Sequence, residues 1–120
     1  MDRRSFLQGA AAAAALATTG VRAQSPLNVA VMLPLSGPAG LFGPSAKACA
    51  ELAVETLNGR GGVLGRSIKL LVGDAGLPPA EASQTALKLW KGSGAQVVIG
   101  MHDSAVRGAL VGLFKGQVPY

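Results

Sequence analysis

Gln96-Val-Val-Ile-Gly-Met-His-Asp-Ser-Ala-Val-Arg-Gly-Ala-Leu-Val-Gly-Leu113 is the stretch that decides the fold. Its first four residues, Gln96 to Ile99, are β-rich and apolar, Gly100 breaks them, and a helical pattern follows with Asp103 or Ser104 placed to cap it. The reading is strand, short turn, helix. The first backbone N–H groups of such a helix have no partner within it, and the helix dipole is positive there, so the turn is able to hold an anion or a carbonyl oxygen. The simpler alternative is that Ser104 does nothing more than cap its own helix.

Working back along the chain, the same alternation recurs twice. Leu27 to Leu33 is apolar without strict alternation, which suits a strand covered on both faces. A loop rich in Gly and Pro, Pro34 to Gly43, separates it from a helix that Pro44 is able to open and that runs from Ser45 to Leu57. Ala46, Cys49, Ala50, Ala53 and Leu57 are expected on its sheet side, with Lys47, Glu51 and Glu55 in water. Asn58 to Arg66 turns the chain around; Ser67 to Gly73 is the second strand, closed by Asp74. A second helix is expected over Ala80 to Lys91, with Ala82, Ala86, Leu89 and Trp90 inward and Gln84, Lys88 and Lys91 outward. The third helix places Val106, Ala109, Leu110, Leu113 and Phe114 on one face. The order βαβαβα predicts an α/β fold, a parallel sheet layered between helices. Gln117 to Tyr120 reads as the opening of a fourth strand, which suggests a lobe cut short.

Residues 1–23 stand apart from this pattern. Arg3-Arg4 ahead of Phe6-Leu7, an alanine-rich tract and the ending Val21-Arg22-Ala23 are the parts of a twin-arginine export signal, with cleavage expected after Ala23. The tract is too short and too weakly apolar for the roughly 20 residues of a membrane span. Export to the periplasm follows. About 97 residues remain, enough for one small lobe.

The chain carries a formal charge of +5, of which about +3 belongs to residues 24–120. Those positive charges are dispersed singly and without interleaved aromatics, which argues against nucleic-acid binding. Cys49 is alone, so no internal disulfide forms, and its place beside Ala48 and Ala50 predicts a small buried packing residue. His102 is the single histidine, with no second ligand at metal spacing, so no metal or cofactor is expected.

His102-Asp103-Ser104 contains the three residue types of a hydrolase triad in consecutive order. Consecutive residues at a strand-to-helix turn point in different directions, and no Gly-x-Ser-x-Gly elbow is present, so catalysis is not expected. Gly37, Gly40 and Gly43 lack the spacing and the Lys-Ser/Thr ending of a phosphate loop. Topology gives these loops a different use. In a parallel sheet, the loops after strands one and three open on one edge, where ligands of open α/β sheets bind. Ser36 and Phe42 are therefore expected near Met101 to Ser104, bringing a hydroxyl, an aromatic wall and helix-end N–H groups around one small polar ligand.

Four segments carry a resemblance to a known family: Val29-Ala-Val-Met-Leu-Pro-Leu-Ser-Gly-Pro38, Glu51-Leu-Ala-Val-Glu-Thr-Leu-Asn-Gly-Arg-Gly-Gly-Val-Leu-Gly-Arg66, Val72-Gly-Asp74 and Gly100-Met-His-Asp-Ser-Ala-Val-Arg107. Together with the export signal they resemble the N-terminal lobe of a type I periplasmic binding protein. The branch most similar captures branched-chain amino acids, short amides or urea for ABC importers. The resemblance implies a ligand held between two lobes that close about a hinge, with an ABC permease in the inner membrane as partner. It also implies that Ser104, with Ala105 beside it, contacts the ligand, that Ser36 and Phe42 contribute from the loop after the first strand, and that His102-Asp103 resembles the amide and urea branch, where the added carboxylate disfavours an anionic ligand. Alternatives are an amide-sensing regulatory protein of the same fold, or a truncated product offering half a pocket, with Val118 on an exposed apolar edge and weak binding.

Overall fold

The computed structural model describes residues 24–100 and 103–120. The export signal and His102 lie outside them. Three strands, β1 (Leu27–Leu33), β2 (Ile68–Asp74) and β3 (Val97–Ile99), form a parallel sheet in the order β2-β1-β3. Between them run α1 (Gly43–Gly59), α2 (Pro79–Leu87, continued by a wider π turn over Lys88–Gly92) and α3 (Ser104–Phe114). The expected βαβαβα order and parallel sheet are present. The boundaries move by one or two residues: α1 runs two residues further at each end than Ser45 to Leu57, β2 begins at Ile68 and includes Asp74, β3 begins at Val97, and α2 begins at Pro79.

β1 is central, and its side chains alternate between two cores. Ala30 and Met32 point to one face, where Ala82, Ala86, Val106, Leu110 and Phe114 of α2 and α3 meet them. The Phe114 ring stands edge-on to Trp90 at 5.6 Å, an arrangement that matches ring edge to ring face. Val29, Val31 and Leu33 point the other way, with Ile68, and take α1 through Ala46 and Val54. Burial of β1 on both faces is the reason its sequence is apolar without alternation.

On α1 the expected stripe is displaced. The residues turned inward are Gly43, Ala46, Ala50, Val54 and Asn58, while Cys49, Ala53 and Leu57 are exposed. Both rows run at helical spacing and both are made of small residues, so periodicity alone does not choose between them. Two contacts do choose. A side chain at Gly43 would meet the Pro34 carbonyl oxygen at 2.6 Å, and the Asn58 amide accepts from Ile68 N at 2.7 Å and donates to Ile68 O at 3.0 Å. Cys49 is thus a surface thiol and not a core residue. At the other end, Gln117 to Tyr120 is not a strand, although Val98 N donates to Pro119 O at 2.9 Å along the outer edge of β3. Val118 is buried at 5% exposure, so it is not the open apolar edge expected of it.

Candidate functional site

The strands end together on one side of the sheet, and the chain leaves β2 and β3 through turns in which one glycine is sterically required. Gly100, after β3, has φ +106°, and a Cβ there would strike the Met32 carbonyl oxygen. Gly76, after β2, lies so close to the Ser36 backbone that a Cβ would overlap the Ser36 carbonyl. The loops after β1 and β2 are therefore in backbone contact.

Asp74 holds that contact. Its Oδ1 accepts from Leu35 N at 3.0 Å, Ser36 N at 3.2 Å and Gly76 N at 2.8 Å, and the Ser36 hydroxyl also donates to the carboxylate. Burial raises the carboxyl pKa, but the Ser36 hydroxyl and the three N–H groups outweigh it and hold the group below its ordinary value of 3.8. The charge is kept because every donor around it points inward. Sequence reasoning took Asp74 for the end of a strand and missed this role, since two of its partners, Leu35 and Ser36, are some 40 residues away along the chain. The Val72-Gly-Asp run was the available signal.

Above this knot lies a cavity of about 600 Å³, within the range of small-molecule sites. Pro34, Phe42, Ala75, Leu77 and Val106 give it apolar walls, and Ser36 and Asp103 its polar points. Phe42 is carried by a 3₁₀ turn, Gly40–Phe42, that breaks the long loop after β1. The Asp103 carboxylate caps α3: one oxygen, Oδ1, accepts from Ala105 N at 2.8 Å and from Val106 N at 2.9 Å. Asp103 is thus the N-cap, and Ser104 is the first helical residue.

Of the six residues expected at a site, four line the cavity: Ser36, Phe42, Asp103 and Ala105. Ser104 is solvent-exposed and is not part of the lining. His102 is outside the described residues. Among the described residues no group of three or more metal-ligating side chains forms. The hydroxyl of Ser36, expected to meet a ligand, spends its proton on Asp74 and keeps only acceptor capacity toward the cavity.

Comparison with known proteins places the fold. The chain is 31% identical over 104 residues to the Leu/Ile/Val-binding protein homolog 1 of Brucella abortus, covering 87% of this chain and 28% of that one. It is 35% identical over 92 residues to homolog 2 of the same organism, covering 77% of this chain and 24% of that one. It therefore spans about a quarter of the length of these relatives. In structure it superposes with TM-score 0.71 and 27% identity on the branched-chain amino acid transporter substrate binding protein LivJ of Streptococcus pneumoniae, solved with isoleucine, covering 78% of this chain and 27% of that one. A branched-chain amino acid ABC transporter protein from Rhodospirillum rubrum gives TM-score 0.70 at 26% identity, covering 78% of this chain and 28% of that one. Residues 1–20 match the twin-arginine translocation signal, which directs the protein to the periplasm. Residues 26–120 match the periplasmic binding protein family, and the chain belongs to that family of solute-binding, non-enzymatic proteins.

Proposed function

We propose that residues 24–120 form the first lobe of the solute-binding component of an ABC importer for branched-chain amino acids, released into the periplasm by cleavage after Ala23. The single observation that carries this reading is the cavity on the C-terminal edge of the sheet, with apolar walls suited to a branched aliphatic body and polar points confined to Ser36 and Asp103. A short amide or urea is the second solute class, favoured by the carboxylate of Asp103 in the lining. The cavity is open on one side; the solute docks here, and a second lobe not contained in these 120 residues closes over it. Closure is driven by the solute's greater affinity for the closed form, which then meets an inner-membrane permease.

Calorimetric titration of the protein, purified with its complete reading frame, against leucine, isoleucine, valine and urea tests the reading. Binding of at least one of them with Kd of about 1 µM or tighter is expected, equivalent to roughly 8 kcal/mol. Residues 24–120 alone should bind the same solute at least tenfold more weakly, since half of the contacts are lost. No detectable binding of any of the four by the complete protein would overturn the assignment.

A further inference from the structure

The two polar points of the cavity are both acceptors. Asp103 spends Oδ1 on the two helix N–H groups, and its second oxygen, Oδ2, accepts no hydrogen bond from any described residue. The carboxylate is exposed and lines the cavity. The Ser36 hydroxyl proton is committed to Asp74, leaving its oxygen as an acceptor. Among the described lining residues there is no Lys, Arg or His. Two of the N–H groups that would make the start of α3 a seat for an anion, those of Ala105 and Val106, are already taken by the protein's own carboxylate.

We propose that Asp103 is a specificity-determining residue that orients the solute with its nitrogen-bearing end against this lobe: an ammonium or amide N–H donates to Asp103 Oδ2, and the branched body lies between Phe42 and Val106. A free carboxylate at that position would face a like charge, with no cationic side chain among the described lining residues to offset it, which is how a site rejects the wrong partner. The preferred class is a small N–H donor with a branched apolar body, an amine, an amide or the ammonium end of an amino acid; a simple carboxylic acid of the same shape is excluded. The proposal rests on the solute-binding reading above and adds which end of the solute this lobe holds.

The test uses four probes of one shape: leucine, isopentylamine, isovaleramide and isovalerate, titrated calorimetrically into the protein with its complete reading frame. Isopentylamine and isovaleramide are expected to bind at least tenfold more tightly than isovalerate. In Asp103→Asn the amide oxygen still caps α3, but an N–H₂ group replaces Oδ2; the amine should weaken about tenfold and the gap to isovalerate should close. Asp103→Ser, which keeps a capping oxygen and removes both charge and reach, should weaken the amine without lowering the thermal midpoint, separating recognition from folding. Leucine binding accompanied by isovalerate as tight as the amine and amide, or an equal loss for all four probes in Asp103→Asn, overturns the proposal while leaving the solute-binding reading intact. Failure of leucine and of all three analogues overturns both.

Discussion

The two ends of the sheet are built on opposite plans. At the end where the strands begin, side chains stitch neighbouring segments together. Arg66 donates through Nε to Ser25 O at 2.9 Å, and through one terminal nitrogen to Pro26 O at 3.0 Å and Gln96 Oε1 at 2.9 Å. Asn28 donates to Ser93 O at 3.2 Å and Gly94 O at 3.3 Å, and Asn58 clamps Ile68. At the end where the strands finish, one carboxylate, Asp74, gathers the first two loops and the rest is cavity. The first end has several independent ties, so the loss of one leaves others in place. The second concentrates its order in two residues, Asp74 and Gly76, and leaves the remaining surface for a solute.

This contrast is breakable. The largest effect is expected from Gly76→Ala, which drives a methyl group into the Ser36 carbonyl and leaves no flexible neighbour to yield. Overpacking of this kind costs about 1–3 kcal/mol or more; chemical denaturation should show that loss, and solute binding should disappear with it because both loops of the cavity separate. A Gly76→Ala protein that binds normally would show that the backbone contact is dispensable.

A smaller effect, on the same end, is expected from Asp74→Asn. Hydrogen bonds to a charged group contribute about 1.5–3 kcal/mol each, those to a neutral acceptor about 1, so with three N–H donors the variant should lose roughly 1.5–2 kcal/mol at neutral pH while its fold persists. The sign of its pH dependence follows from the lowered pKa. The ionised carboxylate stabilises the fold at pH values above the unfolded value of 3.8, and that contribution is lost as pH falls through the lower folded value. The stability difference between wild type and Asp74→Asn should therefore be full at pH 7 and shrink below about pH 3.8. A difference constant down to pH 2 would assign the effect to shape and not to charge.

The smallest effect belongs to the stitched end. Arg66→Ala removes three hydrogen bonds, but all are exposed, and water replaces each partner. A loss of about 0.5 kcal/mol is expected, with solute affinity unchanged within twofold. A change in affinity would mean that the two ends are coupled through β1.

The sequence revealed the sheet more clearly than the site. Element order was legible because each strand is a short apolar run and each break is a Gly or Pro cluster, signals that act over a few residues. The edge that carries the cavity followed from topology, and with it Ser36, Phe42, Asp103 and Ala105 as neighbours. The inner face of α1 was legible only in part: Ala46 and Ala50 are where they were expected, but Val54 was missed and Cys49, Ala53 and Leu57 lie outside, because periodicity does not fix which flank of the stripe turns inward and contacts from Pro34 and Ile68 decide. Asp74 was invisible for another reason. Its value lies in three N–H groups from two loops, of which only Gly76 is close in sequence; Leu35 and Ser36 come from the other loop, and the Val72-Gly-Asp run alone does not reveal them. The capping of α3 shows the limit at the level of one oxygen: both Asp103 and Ser104 satisfy the rule for that position, and geometry selects Asp103.

Phe42 illustrates how this arrangement bears on the history of the protein. It stands on a three-residue turn, is half-exposed, and belongs to neither apolar core. A substitution there alters the wall of the cavity while the packing of β1 against α2 and α3 is untouched. The solute range of such a lobe can drift through successive generations at this one position, and a laboratory library restricted to Phe42 would sample the same route.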